Sequence, residues 1–369
     1  MLLRQLLRLP DQRRAFPSNG VRARAFASSA GVVASFVGSL LKPVGIGYAL
    51  TLAIAVAAQR KLQYFPAPEA PQHPSLMHGA FADIEEHEVW AADGTRLLLW
   101  HWPAPAAGTP AVAPWFLGDV ASDVVHRTMT ELRASPSLRS MDVLLFHGNA
   151  GHRGHRLPWA LLLREGLGCS VTVIDYRGYG GSSGSPTERG LIEDGRAAYE
   201  WLRMRQQRHR SPPSVLPRQL VLWGESIGSG VALGLLDAEC AHGTVPQDTR
   251  LVLEAGFTSC VDLGAHAYPW LPVRLGMLDR FDSVARARRI AERTGGTFVP
   301  SLSLHGELDE IAPLKFGEGL HSALPGTRKR LVVLPATGHN DVPFANPVRY
   351  LKEVAAFLSD SPGVDVVDE

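Results

Sequence analysis

The chain has 369 residues, 45% of them hydrophobic, and 37 Lys and Arg set against 36 Asp and Glu give a formal net charge of +1. That length holds one large α/β domain with additions, and the apolar share builds a core without disulfides. So balanced a charge gives no reason to expect nucleic acid or a polyanionic substrate. The three cysteines, Cys169, Cys240 and Cys260, lack C-x-x-C spacing, which argues against a disulfide framework or a zinc site. His152 and His155 could share a helical face, but further ligands are missing, so neither a metal nor an organic cofactor is expected.

In residues 1–30, Arg4, Arg8, Arg13, Arg14, Arg22 and Arg24 face a single acid, Asp11, with leucines between them and serines at the end. This is the composition of a mitochondrial presequence, and Arg24-Ala25-Phe26-Ala27 is similar to the cleavage sites of such leaders. A disordered basic tail is the plainer alternative. Residues 31–58 contain no acid and one base, Lys42. The apolar run 44–58 is shorter than the roughly 20 residues a bilayer core needs. Adding residues 32–41 makes a span, with Lys42-Pro43 inside it. A single membrane anchor is expected, against an amphipathic or buried leader helix. Gln59-Arg60-Lys61 would end it at a polar interface, with Tyr64-Phe65 as interfacial aromatics. Pro66, Pro68, Pro71 and Pro74 mark residues 59–76 as a stiff linker, and the folded domain is expected from Met77 to residue 369.

Residues 84–90 and 97–102 read as an antiparallel hairpin around Asp93-Gly94. Residues 104–136 show no clear pattern and read as an insertion. Short apolar runs follow at 143–146, 171–174, 220–223, 251–253, 302–304 and 331–334, as expected of buried parallel strands. Helical stretches lie between or after them at 157–164, 188–205, 229–237 and 347–358. Ser185-Pro186-Thr187-Glu188 has the form of a capping box with proline at the first helical position, and Asn346-Pro347 opens the last helix similarly. Residues 206–217, basic and proline-rich, read as a surface excursion. The alternation predicts an α/β fold with a mostly parallel central sheet and helices on both faces.

The run 220–223 breaks into Gly224-Glu225-Ser226-Ile227-Gly228, a G-x-S-x-G between a strand and a small-residue helix. A serine on such a turn presents its Oγ above the sheet, with the Ile227 amide at the helix N-terminus aimed at an oxyanion. An ordinary glycine-rich turn is the bland alternative. A nucleophilic serine needs a base, and the base an orienting carboxylate; in sites of this type both follow the serine, acid first. Asp309, after the run 302–304, and His339, after 331–334, are the expected acid and base. Glu307, Glu310 and Asp341 compete for the acid. The run 143–146 leads into His147-Gly148-Asn149-Ala150-Gly151, where the Asn149 amide is the expected second oxyanion donor. His147 reads as a loop support rather than an acid–base group.

From about residue 59 onward the chain resembles the eukaryotic membrane-anchored α/β-hydrolases of the group containing α/β-hydrolase-domain-containing protein thirteen and its fungal relatives. The resemblance rests on Gln59-Arg60-Lys61-Leu62-Gln63-Tyr64-Phe65-Pro66, Leu145-Phe146-His147-Gly148-Asn149-Ala150-Gly151 and Gly154-His155-Arg156-Leu157. It extends to Asp175-Tyr176-Arg177-Gly178-Tyr179-Gly180-Gly181-Ser182, the serine motif, Phe257-Thr258-Ser259 and the acid and histidine loops. It implies an α/β-hydrolase fold with a short cap, an N-terminal anchor and serine-hydrolase activity. Branches of the group act on acyl esters and thioesters, including lysophospholipids and palmitoylated proteins, and such domains are also described as serine-aminopeptidase-like. Residues 104–136 and 206–217 exceed the group's usual length, and the arginine-rich leader departs from its secretory-pathway placement. The endoplasmic reticulum, as a single-pass membrane protein, is therefore the alternative to a mitochondrial location.

The expected function is a serine hydrolase acting on a carboxylic ester or thioester of an acyl or lipid substrate or an acylated protein, through Ser226, His339 and Asp309. The alternatives are an aminopeptidase-like peptidase, with Glu225, Glu254 or Asp279 to bind a free amino terminus, and a catalytically silent binding protein of the same fold. In the cap, roughly 261–289, Tyr268, Trp270, Leu271, Leu275 and Met277 could line an acyl channel or pack the cap onto the sheet.

Overall fold

Eight strands form one sheet: β1 (Glu85–Trp90), β2 (Arg96–Trp102), β3 (Met141–Phe146), β4 (Ser170–Asp175), β5 (Gln219–Glu225), β6 (Arg250–Glu254), β7 (Ser301–Gly306) and β8 (Lys329–Leu334). Their spatial order is β8-β7-β6-β5-β3-β4-β2-β1. The pairs from β8 to β4 are parallel, while β2 runs antiparallel to both β4 and β1. The computed structural model describes residues 20–76, 79–106, 108–117, 119–208, 218–245 and 249–360. Most of the expected presequence and most of the excursion after residue 208 lie outside the described residues.

β3, β4, β6 and β7 are buried at every residue, as a parallel sheet covered on both faces requires. Along β3, β4 and β5 the side chains alternate between two cores. Val143, Leu145, Val171, Val173, Val221 and Trp223 point to one; Leu144, Phe146, Ile174, Leu220 and Leu222 point to the other. After the N-terminal helix α1 (Gly20–Gln63), the longer helices are α2 (Asp119–Arg133), α3 (Leu157–Leu167), α4 (Glu188–Arg208), α5 (Ile227–His242), α6 (Cys260–Ala267), α7 (Ser283–Thr294), α8 (Leu314–Ala323) and α9 (Pro347–Ser359). The first core takes α2, α3 and α9 through Met129, Leu162 and Leu351. The second takes α4, α5, α7 and α8 through Leu191, Val231, Ile290 and Leu320.

Three expectations change. Residues 104–136 are not patternless: α2 buries Val125 and Met129, four residues apart on one helical face. Its Arg133 is buried and paired with Glu165 at 2.8 Å. The cap of α4 is Thr187, whose Oγ1 accepts the Gly190 amide at 2.9 Å, rather than Ser185. Asn346 caps α9 as expected, accepting the Arg349 amide at 3.0 Å.

The third change concerns the start of the folded unit. The chain divides into two compact units between Ala57 and Ala58, ahead of Met77. In the first unit α1 continues through Pro43, and the stretch Leu41–Gln63, whose last residues belong to the second unit, is long and apolar enough to cross a membrane. In the second, residues 59–68 are bound in rather than forming a free linker. Gln59 accepts the Leu278 amide at 2.8 Å, Arg60 meets Asp279 at 2.8 Å, and Gln63 Nε2 donates to the Asp279 carbonyl at 2.8 Å. Tyr64 is buried edge-on to Phe281. Phe65 and Pro66 pair in parallel with Ala150 and Gly151, and the Ala67 and Pro68 carbonyls accept the Gly180 and Gly181 amides at 2.8 and 2.9 Å. Prolines stiffen this strap, but its hydrogen bonds go to the fold.

Candidate active site

The C-terminal ends of the parallel strands lie side by side, with Phe146 opposite Gly224, Glu225 opposite Glu254, and Leu334 opposite Gly306. Loops leaving this edge meet there, where open α/β sheets carry their ligand sites. Between β5 and α5 the chain turns at Ser226 with φ 51° and ψ −117°. Such a conformation costs a non-glycine residue about 1–3 kcal/mol and persists only when its surroundings impose it. Here the Ser226 amide donates to the Glu254 carbonyl at 2.7 Å and its carbonyl accepts the Ser229 amide at 2.9 Å. The glycines are required by close approach. A Cβ on Gly224 would stand 2.5 Å from the Gly228 carbonyl oxygen, and one on Gly228 would stand 2.0 Å from the Phe146 carbonyl oxygen.

Ser226 Oγ lies 3.0 Å from His339 Nε2, and His339 Nδ1 lies 2.7 Å from Asp309 Oδ2. The three predicted side chains thus stand in one hydrogen-bonded row. Asp309 is buried, whereas Glu307, Glu310 and Asp341 are exposed; Glu307 accepts the Ala336 amide at 3.1 Å instead. The other oxygen of Asp309 accepts the Ile311 and Ala312 amides at 3.0 and 2.7 Å. His305, to which sequence reasoning assigned no role, places Nε2 3.3 Å from Asp309 Oδ2 and 2.7 Å from the Ala312 carbonyl. Both neighbours are acceptors, so that nitrogen carries the proton. Burial alone would raise the Asp309 pKa, but hydrogen bonds from His305, His339 and the Ala312 amide outweigh it and hold the carboxyl well below the usual range. The spacing of His305 and Asp309, four residues apart across the end of β7, was the signal available in the sequence.

The loop after β3 is fixed from four directions. Tyr176 OH donates to the His147 carbonyl at 3.0 Å, and Tyr179 OH to the Asn149 carbonyl at 2.9 Å. The Asn149 side chain donates to the Gln63 carbonyl at the end of α1. The Gly148 amide donates to Glu225 at 2.8 Å, and the Arg156 guanidinium grips the same carboxylate at 2.7 and 2.9 Å. Although burial opposes it, the Arg156 charge pulls the Glu225 pKa down. Glu225 therefore clamps the Asn149 loop to the serine turn, a role its position beside Ser226 did not reveal. His147 is fully buried, its ring 4.5 Å from that of Tyr176 and its Nδ1 2.7 Å from the Gly148 carbonyl, as expected of a loop support. The Ile227 amide opens α5, where backbone N–H groups have no partner within the helix.

The other candidate carboxylates are engaged. Asp279 meets Arg60 and accepts the Glu188 amide at 3.1 Å. Glu254 is buried behind the turn, where its Oε2 accepts from Tyr350 OH at 3.0 Å and Trp223 Nε1 at 3.4 Å. Burial and the nearby Glu225 charge push its pKa up to about 8. In the cap, Met277 packs against the second core, while Tyr268, Trp270 and Leu275 are each more than half exposed. His152 and His155 stack at 4.1 Å, and among the described residues no group of three or more His, Cys, Asp or Glu is placed to hold a metal ion.

No protein-family model matches the chain. An uncharacterized protein of Mycobacterium tuberculosis is 34% identical over 82% of this chain and 88% of its own length. Protein bem46 of Schizosaccharomyces pombe is 33% identical over 59% of this chain and 67% of its own. The lysophosphatidylserine lipase ABHD12 of Danio rerio is 34% identical, covering 60% of this chain and 55% of that protein. Among solved structures, the Pyrococcus furiosus esterase Pf2001 superposes with a TM-score of 0.50 at 16% identity, over 80% of this chain and 95% of that one, a likeness of fold. With this sheet order and these relatives, the chain belongs to the α/β-hydrolase family that includes bem46 and the mycobacterial protein.

Proposed function

We propose that the chain is a serine hydrolase cleaving carboxylic ester or thioester bonds of acyl or lipid substrates. The observation that carries this reading is the row Ser226, His339, Asp309, at 3.0 and 2.7 Å, on a serine held at positive φ. Ser226 Oγ attacks the carbonyl carbon as His339 Nε2 takes its proton. Asp309 holds the Nδ1–H and stabilises the imidazolium, while the Ile227 and Asn149 amides receive the oxyanion. The imidazolium then protonates the leaving alcohol or thiol, and an acyl-enzyme on Ser226 remains. Water, deprotonated by His339, releases the carboxylic acid and regenerates the serine.

The ester reading draws support from the relative described as a lysophosphatidylserine lipase. The peptidase reading loses support because Glu225, Glu254 and Asp279 are each engaged within the fold. A silent binding protein would have no use for the strained serine and its two partners together. The narrower kinship with the group of protein thirteen rests on the motif match alone. In this reading the apolar stretch of α1 anchors the chain in a membrane, and residues 1–30, with six arginines against one acid, direct it to mitochondria.

The full chain in detergent is expected to react with a fluorophosphonate probe, and Ser226→Ala is expected to abolish the labelling. Labelling that survives in the variant would assign the nucleophile elsewhere. A wild-type chain that neither labels nor turns over p-nitrophenyl esters would be the silent relative. Turnover rising from acetate to octanoate supports an acyl hydrolase, and preference for aminoacyl anilides would favour the peptidase.

A further inference from the structure

Six large apolar side chains are left in solvent on two segments that hydrogen-bond to one another. Leu62 and Phe65, on the strap, are 63% and 57% exposed. Tyr268, Trp270, Leu275 and Leu278, in the cap, are 54%, 59%, 89% and 60% exposed. Scattered exposed hydrophobics are ordinary; a cluster of this size marks a surface that something covers. Gln59 joins the segments by accepting the Leu278 amide at 2.8 Å and donating to the Gly276 carbonyl at 3.3 Å, and Arg60 and Gln63 both bind Asp279. Exposed Lys61 and Arg280 lie among them.

We infer that this face docks on a lipid surface, with the cap and strap side chains seated in the interfacial layer of the membrane that holds α1. The inference rests on the anchoring proposed above and adds where the catalytic unit meets the bilayer. Gln59, Arg60 and Gln63 belong to the apolar stretch Leu41–Gln63 and are the residues that clasp the cap. The first unit ends at Ala57, two residues before Gln59, so only a few residues of chain separate a bilayer holding α1 from this clasp. The side chains offered there, Trp and Tyr with Leu, Phe and flanking Lys and Arg, are those that settle at membrane interfaces beside anionic headgroups. The same clasp reaches the candidate active site, because the Gln63 carbonyl holds the Asn149 side chain. A membrane-dissolved ester would thus meet the enzyme at the cap without crossing bulk water.

The test uses the full chain reconstituted in phosphatidylcholine–phosphatidylserine vesicles. An environment-sensitive fluorophore is placed on Leu275→Cys or, as a control, on the exposed Lys352→Cys of α9. Both carry Cys240→Ser, since Cys169 and Cys260 are buried. The label at 275 is expected to be quenched several-fold more by acyl-chain spin-labelled lipid than the label at 352, and to be shielded from aqueous iodide. Equal behaviour of the two labels overturns the inference. So does shielding at 275 in detergent that disappears on dilution, which would mean that a second copy of the chain covers the face. In a second arm, Leu275→Asp with Leu278→Asp is expected to lower turnover of 4-methylumbelliferyl oleate in vesicles at least tenfold while leaving p-nitrophenyl acetate within twofold. Equal loss on both substrates would show that the residues serve the fold or the site instead. Quenching needs no turnover, so a chain that hydrolyses nothing would still decide the docking, and the activity reading would fail separately.

Discussion

Asp309 is distinguished from its neighbours by burial and by donors. Three acidic side chains nearby are exposed, while Asp309 faces two backbone amides and two imidazoles. Asp309→Asn is expected to lower kcat by about 10³–10⁴-fold with little change in KM, because the amide favours the wrong histidine tautomer. Glu307→Gln and Asp341→Asn are expected to stay near wild type. Steady-state kinetics on a p-nitrophenyl ester decides, and the reverse ranking would move the acid elsewhere. Glu254 invites a different measurement. Burial and the Glu225 charge raise its pKa from 4.5 to about 8, so the folded state keeps a proton that the unfolded chain releases first as pH rises. Its contribution to stability is complete below about pH 4.5 and falls as pH rises through about 8. In thermal melts across that window, Glu254→Gln is expected to gain stability relative to wild type toward the alkaline end. Parallel melting curves would show that the carboxyl is not retained as an acid.

Among the elements, the strap departs most from its appearance in the sequence. Four prolines within a short stretch suggest a spacer, yet the strap carries Tyr64, 3% exposed, into the second core. Its hydroxyl has no hydrogen-bond partner among the described residues. Tyr64→Ala is expected to destabilise the catalytic unit by about 3–5 kcal/mol, the range for deleting a buried aromatic ring. Tyr64→Phe, which removes only an unsatisfied hydroxyl, is expected to be neutral or stabilising by about 1 kcal/mol. Chemical denaturation of the two variants measures both. A large loss in Tyr64→Phe would reveal a partner for the hydroxyl, and a negligible loss in Tyr64→Ala would return the strap to the status of a linker.

For the molecule as a whole, two cores on opposite faces of one sheet stabilise the catalytic unit without a disulfide; all three cysteines are free. The stretch Leu41–Gln63 adds an apolar helix with Leu41, Val44, Ile46 and Ile54 each more than half exposed. Burying such side chains in hydrocarbon would stabilise each by roughly 1.5–3 kcal/mol, and the stretch fits the anchor proposed above. Carbonate extraction of organelles is expected to leave the full chain in the membrane pellet, and fractionation to place it with mitochondria. Complete release by carbonate would reject the anchor. A purely endoplasmic-reticulum distribution would reject the presequence.

Period and punctuation are local properties, and what depends on them was legible in the chain. The apolar runs at 143–146, 171–174, 220–223, 251–253, 302–304 and 331–334 became the parallel strands β3 to β8. In the interior strands β3 to β7 the cause is burial on both faces, which needs continuous hydrophobicity, while the edge strand β8 is only partly buried. Gly224 and Gly228 marked the serine turn, because any side chain there collides with backbone. Ser226, Asp309 and His339 could be proposed from their places after strands, but only the tertiary structure brings them to 3.0 and 2.7 Å. It also decided what charge and composition left open. Glu225 is a clamp held by Arg156, Asp309 is backed by His305, α2 lies where no pattern showed, and the proline-rich strap belongs to the fold. Each of these depends on a partner distant in sequence or on a sparse stripe of buried side chains. A carboxylate or a proline has no fixed role until folding determines whether water or another part of the chain takes its hydrogen bonds.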